Sequence, residues 1–78
     1  MYTIYKDKYG MQYLCDIRGD ILAFRQPVNL TYTKEIKEYK HWKMVKHPRY
    51  IRDHLGYKPE FVEKCSEFQF EEMIFDEL

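Results

Sequence analysis

Glycine, proline and cysteine are scarce in this 78-residue chain, with three, three and two copies. Gly10, Gly19 and Gly56 stand alone, so no glycine-rich loop is present to cradle a phosphate chain. Cys15 and Cys65 form no CxxC pair, and His41, His47 and His54 give no HxxxH spacing. The common zinc patterns are therefore missing. Nucleophilic catalysis would need a cysteine beside a histidine oriented by a carboxylate. Asp53 and His54 are neighbours in sequence and point apart on a helix. No catalytic residue, cofactor or metal ligand is expected, and the chain does not read as an enzyme. No apolar run reaches the ~18 residues of a spanning helix. The segment MYTIYKDKYG carries Lys6, Asp7 and Lys8 and no apolar h-region, so no signal peptide is expected. A reduced, cytoplasmic setting with both thiols free follows as the expectation.

What the chain does have is bulk and charge. Apolar residues make up 45% and charged residues 33%, a globular composition. One domain, 1–78, is expected at this length. Aromatics reach 18%, led by eight tyrosines, a residue that buries its ring while its hydroxyl stays wet and that is enriched at interfaces. The net charge of zero hides three blocks: +1 over 1–32, +5 over 33–58 and −6 over 59–78. Opposed blocks of this kind pair with each other or face different partners.

Apolar alternation predicts strands in YTIYK, MQYLCDI and ILAF. A four-residue loop at 7–10 and a two-residue type II′ loop at Gly19-Asp20 would set Ile4 opposite Tyr13, Ile17 opposite Leu22 and Cys15 opposite Phe24. Tyr13, Cys15, Ile17, Leu22 and Phe24 are then expected to share one buried face, with Tyr5, Leu14 and Ile21 on a mixed second face. Arg18-Gly19-Asp20 also spells an integrin tripeptide, which hairpin chemistry accounts for.

The second half reads as helical. Thr33 is a plausible N-cap for a helix over 34–47 that Pro48 ends or kinks. A short helix at 49–55 stops at Gly56, Pro59 opens PEFVEKC as a further helical turn, and Ser66 with Gln69 forms a capping-box pattern for a last helix over 67–77. A fourth strand is the rival for that last segment. The spacing of Ile51, Leu55, Tyr57, Val62 and Cys65 partly fits a helix-turn-helix, but Arg52 stands where a small residue belongs. Glu60, Glu63 and Glu67 would repel a phosphate groove, so a generic helical hairpin is preferred. The fold class predicted is α+β, a three-stranded antiparallel meander packed against two to three C-terminal helices.

Lys34, Lys37, Lys40, Lys43, Lys46, Arg49 and Arg52 recur at every third position. On a helix the five lysines would wind through roughly 240° beside an oblique ridge of Ile36, Tyr39, Trp42 and Val45. That arrangement favours a solvated border over a phosphate-binding face. The expected function is a non-catalytic protein-binding module, an inhibitor or modulator of a larger enzyme or nucleic-acid-handling complex. The alternative is a nucleic-acid-binding module using a basic helix over 34–52, with Tyr39 and Trp42 stacking on bases. Candidate partner-binding residues are Tyr39, Trp42, Lys40, Lys43 and Lys46, and the acidic set Glu60, Glu63, Glu67, Glu71 and Glu72. That set, with Asp76 and Glu77, would suit a basic groove meant for nucleic acid. Short, Tyr- and Lys-rich chains look like accessory proteins of bacteriophages, an impression of composition that rests on no motif.

Overall fold

A computed structural model describes residues 1–28, 38–56 and 58–75. Its centre is one antiparallel sheet of five strands: β1 (Tyr2–Lys6), β2 (Gln12–Cys15), β3 (Asp20–Arg25), β4 (Lys43–Tyr50) and β5 (Glu60–Cys65), in the order β4-β3-β2-β1-β5. A five-residue helix, α1 (Ile51–Leu55), lies between β4 and β5, and α2 (Glu67–Phe75) follows β5. This overturns the expectation of three strands under two to three helices.

Two segments read as helix are strands. The predicted helix over 34–47 is strand from Lys43 onward, and its start, with Thr33, lies outside the described residues. PEFVEKC is not the second half of a helical hairpin, because Glu60–Cys65 pairs along β1. The physical reason is shared. The β1–β2–β3 hairpins leave backbone donors and acceptors open on both outer strands, and pairing them outweighs the helix propensity of Lys and Glu, a local preference that tertiary context overrides. Pro48 fits a strand only at an edge or bulge. It lies on edge strand β4, in the stretch where the register with β3 jumps from Met44↔Ala23 to Arg49↔Ile21.

The first two hairpins form, but with other loops. Asp7 N–H donates to the Met11 carbonyl and Asp16 N–H to the Asp20 carbonyl, so each loop holds three residues, Lys8 to Gly10 and Ile17 to Gly19. Each is a D-x-x-G-x loop built in the same way. The Asp7 Oδ1 accepts the N–H groups of Tyr9 (2.9 Å) and Met11 (3.0 Å), and the Asp16 Oδ1 those of Arg18 (2.9 Å) and Asp20 (3.0 Å). The fourth residue is glycine at φ 89° in the first and 91° in the second, as the type I turn with a glycine bulge requires.

These loops move the register. Ile4 pairs with Leu14, one residue from the expected Tyr13, and Tyr13 pairs with Phe24. A one-residue slip exchanges the faces. Ile4, Leu14 and Ala23 therefore share one buried face with Trp42 and Cys65, covered by Phe70, Met73 and Ile74 of α2. Tyr13, Cys15 and Ile21 occupy the opposite face with Ile51 of α1. The expected single core face is thus replaced by two. Leu22 and Phe24 are half-buried, and Ile17, at a loop tip, is 83% exposed.

The helix ends follow the sequence more closely. Gly56 caps α1 in the left-handed region. At α2 the Ser66 Oγ accepts the Gln69 N–H (3.2 Å) and the Gln69 Oε1 accepts the Ser66 N–H (2.9 Å), a complete capping box. No described helix is long and apolar enough to cross a membrane.

Candidate functional site

The sheet order separates the charged residues of β4 from those of β5. β4 forms one edge and carries Lys43, Lys46, His47 and Arg49, all exposed. β5 forms the other edge and carries Glu60 and Glu63, also exposed, and leads into α2 with Glu67, Glu71 and Glu72. Four strand spacings put the edges ~19 Å apart, beyond the ~8 Å screening length of physiological salt. Among the described residues no ion pair joins the basic residues of β4 to the acidic residues of β5 or α2; Glu60 instead lies 3.6 Å from Lys6 on β1. The described charges of the two edge strands do not neutralise each other.

The two aromatic candidates are engaged internally. Trp42 is 4% exposed and packs with Ile4, Leu14, Ala23 and Cys65. The Arg25 guanidinium lies 4.5 Å from the ring centres of both Tyr39 and Trp42, and its Nε donates to the buried Gln12 Oε1 at 2.7 Å. Burial pulls the Arg25 pKa below its ordinary value, while Tyr39 and Glu63 oppose that shift. Tyr39 is further fixed by a bridge to Pro27, and the Lys40 N–H donates to the Gln26 carbonyl. These contacts hold the strap before β4, with Trp42 buried and the Arg25 guanidinium over the Tyr39 ring. Lys40 itself is exposed.

The acidic candidates on α2 stand beside a feature the sequence reading passed over. At 100° per residue, Phe68 and Phe75 fall within ~20° of one another, with Glu71 and Glu72 between them. All four are exposed, the phenyl rings at 69% and 68%. The opposite side of α2 holds Phe70, Met73 and Ile74 against the sheet, and Phe70 stacks on Tyr2 at 4.1 Å between ring centres. The helix therefore has an aromatic row on each side. The seven-residue spacing of Phe68 and Phe75 was the available signal. The ambiguity between helix and strand for this segment hid it, since on a strand the two would face opposite ways.

Neither cysteine is built to react. Both are free and buried, Cys15 on the α1 side of the sheet and Cys65 on the α2 side. Burial, with Asp16 and Asp20 adding to it, pushes the Cys15 thiol up to about 12; burial and Glu63 push Cys65 up as well. Thiolates are the nucleophilic form, so both are suppressed at neutral pH. Among the described residues no three His, Cys, Asp or Glu side chains gather to hold a metal ion.

No family model matches the chain, and neither a curated protein nor a solved structure matches it.

Proposed function

We propose that the protein is a non-catalytic binding module that inhibits or modulates a larger protein. It docks the outer face of α2 into an apolar groove rimmed by Lys and Arg, of the kind nucleic-acid-handling proteins present. The observation that carries this is the exposed row of Phe68 and Phe75 flanked by Glu71 and Glu72 on a helix whose inner face is already satisfied. Isolated exposed apolar residues need no explanation. Two phenylalanines at i and i+7 on a capped, docked helix match the anchor spacing of helix-in-groove recognition. The glutamates supply charge complementarity to the basic rim and exclude acidic partners.

The test is capture from a nuclease-treated lysate, identification of the captured protein, and titration of that purified partner. Phe68→Ala/Phe75→Ala is expected to weaken binding by a hundredfold or more, since buried aromatic anchors contribute about 2 kcal/mol each. Glu71→Lys/Glu72→Lys is expected to weaken it with a shallower salt dependence, and Lys43→Glu/Lys46→Glu to leave it unchanged. Equal affinity for wild type and the double-Phe variant sinks the reading.

One observation favours a second reading, nucleic-acid binding on the β4 edge. Glu60 and Glu63 lie on the opposite edge strand and do not compete for the phosphates that Lys43, Lys46 and Arg49 would meet. Trp42 is buried and offers no stacking platform, and Arg25 already lies over the Tyr39 ring. This reading therefore requires binding that salt erases, lost in Lys43→Glu/Lys46→Glu and kept in Phe68→Ala/Phe75→Ala.

A further inference from the structure

On the α1 side of the sheet a cavity of about 270 Å³ opens between the β2–β3 loop, the junction of β4 with α1 and the segment before β5. Thr3 and Tyr5 of β1, Arg18 of the loop, Tyr50 and Arg52 of the junction, and Lys58 all line it. Three cations thus converge from three separate parts of the chain. The carboxylate in the lining, Asp16, is occupied: its Oδ1 accepts the Arg18 and Asp20 N–H groups, and its Oδ2 lies 3.8 Å from the Arg18 guanidinium. Arg52 and Lys58 have no ion pair among the described residues. Like charges gathered at one mouth repel unless an anion joins them.

We propose that this cavity binds a phosphate monoester. Asp20 also lies 3.9 Å from the Arg18 guanidinium, so the three cations face two carboxylates, and Arg52 and Lys58 are left to meet the near-dianion a monoester carries at neutral pH. Arginine forks bind phosphate oxygens in pairs, and lysine adds a point charge. The hydroxyls of Thr3, Tyr5 and Tyr50 supply neutral donors, and the two tyrosine rings form walls for a sugar or base. The volume is just below the ~300 Å³ at which small-ligand pockets begin, so the cavity takes a mononucleotide-sized group or the phosphorylated end of a strand. The site shares no residue with the α2 face and stands or falls without it.

The experiment is an amide-resolved NMR titration of the whole protein with adenosine monophosphate, ribose phosphate, adenosine, and oligothymidylate with and without a terminal phosphate. Saturable shifts centred on Gly19, Arg52 and Lys58 are expected with the monoesters and not with adenosine. End-phosphorylated oligothymidylate binding more tightly than the mononucleotide assigns a strand end; weaker binding assigns a free small molecule; both support the site. Arg52→Gln/Lys58→Gln is expected to lose at least about tenfold in affinity, since charge-assisted hydrogen bonds to phosphate are being removed. Both side chains are exposed, so the fold should persist, and Arg18→Gln serves if it does not. Lys43→Gln/Lys46→Gln should bind as wild type. No saturable shift at millimolar monoester, undiminished binding in the Arg52/Lys58 variant, or oligothymidylate binding that ignores the terminal phosphate would each overturn the proposal.

Discussion

Tyr50 closes over Gly19: a Cβ on Gly19 would stand 2.8 Å from the Tyr50 Cε1 and 3.3 Å from its Cδ1. The Gly19 carbonyl also accepts the Ile51 N–H at 2.8 Å, so one residue ties the β2–β3 loop to the start of α1. Gly56 has a similar backbone need, at φ 71°, but open space where a Cβ would go.

Gly19→Ala should therefore cost more than Gly56→Ala. Left-handed strain alone is worth ~1–2 kcal/mol at either glycine, and at Gly19 the exposed Tyr50 ring must also be displaced, which adds a smaller cost. Urea denaturation of the two variants checks the order. Tyr50→Ala placed on Gly19→Ala should recover the steric part and leave the strain. Equal losses at the two glycines would rule out the Tyr50 contact as a constraint.

The register makes a sharper distinction between two isoleucines. Ile17 is 83% exposed at a loop tip, and Ile21 is 4% exposed against Tyr13, Cys15 and Ile51. Ile17→Asp should change stability by less than about 0.5 kcal/mol. Ile21→Asp buries an unpaired carboxylate in a small core and should abolish cooperative unfolding. Thermal melts followed by circular dichroism separate the outcomes, and an unfolded Ile17→Asp would restore the register in which Ile17 faces the core.

The strands of the first 25 residues were legible because their apolar alternation is local. Their register was not, because it hangs on loop type. Asp at the first and Gly at the fourth position of DKYG and DIRG was visible, yet Gly19-Asp20 also reads as a two-residue turn, and the choice moves Ile17 from surface to core. β4 and β5 were illegible for a different reason. Their pairing partners lie far along the chain, and KMVKHPRY and EFVEKC carry no strict alternation of their own. α2 was legible at its start, where Ser66 and Gln69 satisfy each other within one turn. Of the candidate site, Glu67, Glu71 and Glu72 could be read as an acidic run, while the aromatic row beside them needed the helix to be settled first. The gathering of Arg18, Arg52 and Lys58 is a tertiary event with no local trace.

The twin loops predict a graded response at their aspartates. Asp7 accepts two backbone N–H groups through Oδ1 and the Tyr13 hydroxyl through Oδ2 at 3.0 Å. Asp7→Ala leaves those donors to solvent and should cost about 1–2 kcal/mol, in the range of losing a helix N-cap. Asp7→Asn keeps the Oδ1 acceptor and should cost less than half as much. The same order is expected for Asp16→Ala against Asp16→Asn. An Asn variant as unstable as its Ala counterpart would mean that charge, and not the loop amides, sets the aspartate's role.

The two thiols set the alkaline behaviour. They lie on opposite faces of the sheet, so a reductant should leave the thermal midpoint unchanged, and a thiol reagent should label neither without denaturant. Cys15 is held neutral in the fold up to about 12, whereas its ordinary value is 9.0. Between those values the unfolded chain releases a proton that the folded chain keeps, so stability must fall as pH rises from about 9 towards 12. The limiting slope for one such proton is ~1.4 kcal/mol per pH unit, and Cys65, raised in the same direction, adds to it. Below pH 9 both states hold the proton and the term vanishes. The reading is the difference between wild type and Cys15→Ala, which isolates the thiol from every other group. The variant should start less stable, because it leaves a cavity, and should lose stability more slowly above pH 9. Parallel curves for the two proteins would mean that the Cys15 thiol is not suppressed by its burial.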